Sequence, residues 1–485
     1  MFSIYCVATL SASDDEFRSQ YNLEKNDLLA SYQFGCQQAL LKCNLLQSDD
    51  LDCLTALYLY LVSLITRPCG FSKLNVFQTS IKPKTYPRSL SMMLGIAVRI
   101  AQRMGLHSES ANTKHTALEA EMRRRLWWSL VMFDARVAEM SQSSATMLVP
   151  TWDCKVPSNL NDFDLRPEMK IPPVTPPPGN VGDAIFAVIR SELADFFRYS
   201  TVYLDFVNPA LQPLAKQGRQ LVTVEKMMED KYFKFFNLEN PLHYMTMWMA
   251  RSYLAKGRLL EHYSRHSRSS VQQTDVQRDA AVSYAISIFE CDTKLMTSPL
   301  SKHFLWFTMS NSFPFPAYIH VVQDLRRRPF GNYAEKAWQA MSDNYDARFT
   351  DYGYDENPLL NIISKFVFQA WAAREAASNR LAEPEEPPRI VSAMRVKATQ
   401  GMSNFQYGVM NRPTDAMNTL NDGFSISMMG LDGSGPPYSS FGWQRPLPSG
   451  LGGSNNMPGQ GMMGVDMNQF DWNTMDWNPL SGRSW

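Results

Sequence analysis

Apolar residues recur every three or four positions along most of this chain, and that helical spacing restricts its fold more than any other feature. The clearest stripe follows the capping run Ser48-Asp49-Asp50 and consists of Leu51, Leu54, Leu57, Tyr58, Leu61, Val62 and Ile65. The alternation of apolar and polar residues that half-buried strands require is not sustained anywhere. The sequence therefore predicts an all-α protein of many helices.

Several helix ends are marked by particular residues. Gly105 follows a stripe that begins near Ser89, and because glycine tolerates a left-handed backbone it predicts the C-cap of that helix, with Leu106 folded back on the last turn. Residues 116–119 and 274–277 fit the capping-box pattern, so each is predicted to open a helix.

Proline-rich segments divide the chain, because consecutive prolines remove backbone donors and clash with a preceding helical turn. Residues 66–87 also interrupt the helical spacing, and a long aperiodic loop is unusual inside a bundle. The predicted organisation is a first helical block (1–165, with 66–87 as an atypical insert), a linker (166–180), a second helical block (181–382), a second linker (383–400) and a disordered tail (401–485).

Charge and cysteine usage narrow the classes of function. Lys+Arg and Asp+Glu both number 47 in the 485 residues, so binding of nucleic acid through bulk positive charge is not expected. The seven cysteines form no C-x-x-C pair, so neither a zinc finger nor a redox dithiol is indicated. The start lacks the basic region of a signal peptide and no apolar run is long enough to span a bilayer, so we expect an intracellular, soluble protein.

Templates for metal binding and catalysis fit poorly. His262 and His266 lie four residues apart without an obvious third ligand, which favours a solvated polar helix end over a metal site. Residues 459–464 fit G-x-G-x-x-G, but neither a strand nor a helix flanks them. Residues 49–53 place a cysteine where the D-D-x-x-D pattern of a helical isoprenoid-processing enzyme needs aspartate, so these acids are interpreted as a helix cap. We predict no catalytic residue, metal site or cofactor, and no enzyme.

Two arginine triplets are candidates for contacts with phosphate. The run Arg123-Arg124-Arg125 precedes Trp127 and Trp128, and a structural role is favoured because Glu121 lies at the i, i+4 spacing that pairs with Arg125. The second triplet, residues 326–328, is predicted to close a helix, where cations offset the negative end of the dipole.

The tail interleaves acids with bulky apolar residues between positions 466 and 477. From residue 401 onward six aspartates stand against three arginines, which gives a net charge of −3. Such a segment holds aromatic groups in solution for a partner's groove, so an activation segment is favoured over an inert tail. Its candidate residues are Phe470, Asp471, Trp472, Asp476 and Trp477.

Three sequence runs, at residues 95–107, 119–130 and 133–134, resemble the middle regulatory domain of fungal binuclear zinc-cluster transcription factors. The apolar opening at residues 2–8 and the loop at residues 156–162 fit the same domain, and the resemblance covers residues 1–165. The motif residues are Gly95, Arg99, Gly105, Leu106, His107, Glu121, Arg123, Arg124, Arg125, Trp127, Trp128 and Asp134.

The resemblance implies a nuclear regulator that activates transcription, often of a fungal biosynthetic gene cluster for a secondary metabolite, with the transcription machinery and co-activators as partners. The six-cysteine DNA-binding cluster that normally precedes this domain is missing, so zinc is expected only with an upstream cluster, and DNA contact only through it or indirectly. The sequence is expected to come either from a truncated gene prediction or from a regulator that cannot bind DNA by itself. Residues 66–87 are interpreted as a retained intron, and homodimer formation is left open. The alternatives are a helical co-regulator or scaffold that does not bind DNA and, third, the isoprenoid-processing enzyme.

Overall fold

The computed structural model describes most of the two predicted helical blocks, and every described residue lies in one compact unit that runs from Met1 to Arg412. The described residues are 1–13, 17–19, 24–65, 85–141, 148–169, 181–200, 204, 213–215, 220–267, 273–311, 313–349, 358–378 and 385–397. No strand occurs among them, which confirms the predicted all-α class.

The first helical block contains six described helices. Its helices are α1 (Phe2–Ser11), α2 (Lys25–Lys42), α3 (Leu51–Ile65), α4 (Thr85–Arg103), the short α5 (Glu109–Asn112) and α6 (Ala117–Ser141). Helix α1 packs on α2 and α3, while α4 lies between α3 and α6. Helix α4 begins at Thr85, inside the predicted insert 66–87, and residues 66–84 lie outside the described part.

The second helical block has α10 at its centre, packed against α9, α12 and α13. Its helices are α7 (Ile185–Phe197), α8 (Leu221–Lys231), α9 (Pro241–Ser267), α10 (Asp275–Thr297), α11 (Leu305–Asn311), α12 (Phe315–Arg327), α13 (Ala334–Phe349) and α14 (Pro358–Ser378). The two blocks meet where α6 contacts α7 and where α1 contacts α11.

The predicted helix ends are confirmed. Gly105 has φ +77°, and the bonds from its N–H to Gln102 (3.0 Å) and from the Leu106 N–H to Ala101 (3.0 Å) form a Schellman motif. At the start of α10, Thr274 and Gln277 make both bonds of a capping box.

Exchanging two glycines of α4 and its cap for alanine is expected to have opposite effects on stability. Gly105→Ala places a Cβ in the left-handed region, 3.0 Å from the Cβ of Ala111, and should lower the free energy of unfolding by about 1–2 kcal/mol. Gly95→Ala is the matched control, because its Cβ meets nothing within 4 Å and should raise stability by about 0.5–1 kcal/mol. Urea denaturation of both variants checks this, and a destabilising Gly95→Ala would contradict it.

One segment differs from its sequence prediction. Residues 389–397, inside the predicted 383–400 linker, form a helix, α15, on which Ile390, Val391 and Met394 are buried. The two prolines before it do not oppose this helix, because proline is well tolerated at a helix start, where the backbone N–H has no partner to lose. The apolar spacing that follows them is helical, and the linker prediction gave the prolines too much weight.

Candidate functional site: the motif helix and its loop

Most motif residues of the first block lie on α6 or at the turn after α4. The Schellman turn at Gly105 reverses the chain after α4, α5 lies beside α6, and residues 148–162, here called the motif loop, run back along the same helix. The backbone carbonyl of His107 accepts hydrogen bonds from the N–H groups of Asp153 (3.3 Å) and Cys154 (3.1 Å). The α4 cap and the motif loop are therefore joined directly.

The three motif arginines all bind groups of this chain. The Arg123 Nε donates to Asn112 Oδ1 (2.9 Å), and Nη2 donates to the carbonyl of Met104, the residue before Gly105. Arg124 donates to the Glu109 carboxylate at 2.6 Å. With these partners in place, the arginines hold α4 and α5 against α6.

Arg125 makes the pair that its spacing predicts, with Glu121 at 3.3 Å, and a second one with Asp162 of the motif loop at 2.8 Å. The side chain of Arg125 is only 17% exposed and that of Arg124 only 11%. The arrangement is that of an internal network, in which the guanidinium groups have little surface left for a nucleic acid.

Three acids of this region hold the motif loop by its backbone. Oxygens of Asp134, Glu109 and Glu121 accept hydrogen bonds from the N–H groups of residues 148 (2.6 Å), 155 (3.0 Å) and 158 (2.9 Å) respectively. In return, Asp153 Oδ1 of the loop accepts from the Glu109 N–H at 2.9 Å, at the first residue of α5. The loop is thus fixed to the helices at several points along its length.

Burial changes the titration of these acids. It raises the pKa of Asp134 to about 7, because the N–H of Leu148 offsets only part of the cost of burying the charge. Burial likewise raises the pKa of Glu121 above its ordinary value, although Arg125, the Ser158 N–H and Arg124 oppose it. Burial also acts on Glu109, but Arg124 and the Lys155 N–H outweigh it and hold that pKa below its ordinary value.

Tryptophans form the apolar centre of the site. Trp127 and Trp128 are 0% and 1% exposed, and both rings meet Trp152 of the motif loop edge-on, at centroid distances of 5.8 and 6.1 Å. The Trp128 Nε1 donates to the carbonyl of Lys155 at 2.9 Å. The Arg198 guanidinium, just after α7, lies 4.8 Å from the Trp152 ring and donates to the Trp152 carbonyl at 3.1 Å. The motif loop therefore connects the first block to the second.

The loop asparagines strengthen that connection. Asn159 Oδ1 accepts from the Gly182 N–H at 3.0 Å, and Asn161 Oδ1 accepts from the Asp183 N–H at 3.3 Å, both at the start of the second block. These roles, and those of Glu109, Asn112 and Trp152, were not predicted, because their partners lie 11 to 46 residues away in the chain.

Two groups of predicted residues lie apart from this network. Gly95 and Arg99 are exposed on α4, where Arg99 Nη1 donates to Gln102 Oε1 at 3.2 Å. The predicted activation residues, Phe470 to Trp477, lie outside the described residues, as do the glycines at 459–464.

The other candidates for chemistry are also placed. His262 is only 8% exposed, so the prediction that it lies at a solvated helix end is wrong. The centroid of its ring lies 4.4 Å from that of His266 and 6.2 Å from that of His320. Burial lowers the pKa of His262 to about 4. Asp50 caps α3 by accepting from the Asp52 N–H, which accords with the cap interpretation of residues 49–53. In the described ranges, no cluster of three or more His, Cys, Asp or Glu is arranged to hold a metal ion.

Residues 326–328, the second arginine triplet, end α12 as predicted. Arg328 is held there by two carboxylates as well as by the helix dipole. Arg328 donates to Asp324 of α12 at 2.8 Å and to Asp279 of α10 at 2.7 Å.

No helix of the described segments has both the length and the apolar character needed to cross a bilayer.

The comparisons with known proteins show which class of protein this all-helical body resembles. Residues 1–168 match the model of the fungal specific transcription factor domain. The resemblance to the regulatory domain of zinc-cluster transcription factors is thereby confirmed for the first block.

Curated relatives extend the match into the second block. The chain is 49% identical over 412 residues to the transcriptional regulator AacuB of Aspergillus aculeatus, in an alignment that covers 84% of this chain and 53% of the relative. It is 45% identical over 414 residues to the transcriptional regulator nsrM of Aspergillus novofumigatus (83% and 53%). The aurofusarin cluster transcription factor aurR2 of Gibberella zeae is 28% identical over 411 residues (84% and 58%). The chain thus spans about half the length of these relatives, and no solved structure matches it significantly.

Proposed function

We propose that this protein regulates transcription in the nucleus, as part of the control of a fungal biosynthetic gene cluster. The observation that carries the proposal is the 49% identity to a named transcriptional regulator across both helical blocks. The name of the Gibberella zeae relative supports the link to a gene cluster, since that protein is a cluster transcription factor. Deleting the gene and measuring the transcripts of its chromosomal neighbours tests the proposal. Unchanged transcript levels would contradict it.

The body of the protein, in this proposal, provides a rigid support rather than a DNA contact. The three arginines of α6 are paired with Asn112, Glu109, Glu121 and Asp162, so replacing them weakens the fold and not a phosphate contact. DNA is then reached through other residues or through a partner protein. The expected partners of the regulator are co-activators and the transcription machinery.

The tail at residues 401–485 is proposed to be the activating segment. In the full chain fused to a heterologous DNA-binding domain, changing Phe470, Trp472 and Trp477 to Ala should reduce reporter output about tenfold or more, because aromatic anchors supply most of the energy with which such a segment enters a partner's groove. The matched control changes Phe441 and Trp443 to Ala, which lie in the same tail beside Arg445 instead of aspartates, and should retain the output. Equal output from all three fusions would refute the assignment.

The second candidate, a co-regulator that does not bind DNA, is favoured by the internal pairing of those arginines. A mobility-shift experiment with the purified chain and promoter fragments of the neighbouring genes separates the two. Sequence-specific binding by this chain alone would exclude the co-regulator.

A further inference from the structure

The turn between α2 and α3 brings together two cysteines that no C-x-x-C spacing connects. Cys43 is the residue that follows α2, and Cys53 lies in the first turn of α3. Between them the chain reverses at Asn44, which has φ +52° and whose carbonyl accepts from the N–H groups of Gln47 (2.9 Å) and Ser48 (3.1 Å). Because α2 and α3 also pack against each other, the two cysteine-bearing helix ends lie side by side.

The thiols of Cys43 and Cys53 are within hydrogen-bonding reach of each other. The Cys53 thiol makes side-chain hydrogen bonds with Cys43 and with the Ser48 hydroxyl. Both cysteines are free, but Cys43 is exposed whereas Cys53 is only 8% exposed. Burial raises the pKa of Cys53 and the neighbouring Cys43 adds to that effect, so Cys53 stays protonated. An accessible thiol therefore has a second, protected thiol beside it.

The remaining described cysteines do not offer this combination. Cys6, Cys36, Cys154 and Cys291 are all at most 6% exposed. Burial raises the pKa of both Cys154 and Cys291 to about 12, and a buried, protonated thiol reacts poorly with oxidants. Among the cysteines that the structure describes, Cys43 is therefore the one that an oxidant in solution can reach.

The turn that carries the pair is also tied to α4. Arg103, in the last turn of α4, donates to the carbonyls of Leu46 and Ser48 and lies 3.1 Å from the Asp49 carboxylate. These bonds hold the turn in one path and so keep the two thiols near each other. A covalent bond across the turn would act directly on the segment that anchors the end of α4, two residues before Gly105.

We propose that Cys43 and Cys53 are a redox-active pair that hydrogen peroxide converts to a disulfide. The Cys43 thiolate attacks a peroxide oxygen, the O–O bond breaks, and the departing hydroxide takes up a proton and leaves as water. Cys43 is then a sulfenic acid.

In the second step the Cys53 sulfur attacks the Cys43 sulfur. An S–S bond forms, the S–OH bond breaks, and the hydroxide leaves as water with the Cys53 proton. Two thiols are thus oxidised to one disulfide while one peroxide is reduced to two waters. This assignment does not depend on the proposed function.

Differential alkylation of the purified full chain tests the proposal. The reduced protein is treated with hydrogen peroxide and its free thiols are blocked with iodoacetamide, after which oxidised cysteines are reduced and labelled with N-ethylmaleimide. Trypsin releases Cys43 and Cys53 on one peptide, residues 43–73, and fragmentation of that peptide shows which cysteines carry the second label. Cys43 and Cys53 should acquire it together, at least about tenfold faster than Cys154 or Cys291.

Two serine variants test the order of the steps. Cys53→Ser removes the thiol that consumes the sulfenic acid, so trapping of Cys43 by dimedone, which reacts with sulfenic acids, should increase about tenfold or more. Cys291→Ser is the matched control, because Cys291 is buried like Cys53 but has the charged Lys294, not another thiol, as its strongest neighbour. It should retain disulfide formation and the low dimedone labelling of wild type.

Three results would each overturn the proposal: Cys43 and Cys53 remaining reduced in peroxide, a disulfide that joins either of them to a different cysteine, or equal dimedone trapping in wild type and Cys53→Ser. The first two are measured on the wild-type protein, so they decide the matter even where Cys53→Ser does not fold.

Discussion

Glu121→Ala is expected to lower the free energy of unfolding by about 3–5 kcal/mol, the cost of removing one partner from a buried ionic network. The Glu121 carboxylate is 2% exposed, and it contacts Arg124 and Arg125 and accepts from the N–H of Ser158. Its loss leaves two largely buried guanidinium groups with one acid fewer and frees one attachment of the motif loop. Urea denaturation followed by tryptophan fluorescence measures the change, since Trp127, Trp128 and Trp152 lie in the same site.

Glu119→Ala is the matched control for this experiment. Glu119 lies two residues earlier on α6 but is 43% exposed, and its ion pair is with His115, which is 34% exposed, so its removal should cost less than about 1 kcal/mol. If Glu119→Ala and Glu121→Ala lowered the free energy of unfolding equally, the network around Glu121 would not be a source of stability. Glu121→Gln, which keeps an acceptor for the Ser158 N–H, should fall between them.

Asp134→Asn is expected to change how stability depends on pH. The pKa of Asp134 is about 7 in the folded protein and 3.8 is its ordinary value, so the folded state binds more protons than the unfolded state between those values. The contribution of Asp134 is therefore fully present below about pH 4 and is lost as the pH rises through 7, by about 2–4 kcal/mol. Asparagine is neutral throughout and still accepts from the Leu148 N–H.

Unfolding free energies at about pH 5 and about pH 8 check this. The stability of Asp134→Asn relative to wild type should increase as the pH rises. The difference between the two proteins is the relevant quantity, because His262 and His320, whose pKa values burial lowers to about 4 and about 3, change the stability of both in the opposite sense. Parallel curves for Asp134→Asn and wild type would rule out a buried, proton-binding Asp134.

The features that were predictable from the sequence are local ones. The helical spacing, the Gly105 turn and the Thr274 capping box depend on residues within a few positions of each other, and all are present. The helix at residues 389–397 was missed because the prolines before it were interpreted as a linker, although the spacing of Ile390, Val391 and Met394, all of them buried, is helical.

The ion pairs of the candidate site also divide into local pairs, which were predictable, and distant pairs, which were not. The pair of Glu121 with Arg125 follows from their spacing on one helix, whereas the pairs of Arg125 with Asp162 and of Arg124 with Glu109 join residues 37 and 15 positions apart.

The mode of attachment of the motif loop has a consequence for sequence divergence. Its anchors at residues 148, 155 and 158 are main-chain amides, and every amino acid except proline supplies one. We therefore expect those three positions to tolerate side-chain changes other than proline, and the carboxylates of Asp134, Glu109 and Glu121, which bind the amides, to tolerate fewer changes. A proline arriving at any of the three would be the substitution that the loop does not tolerate.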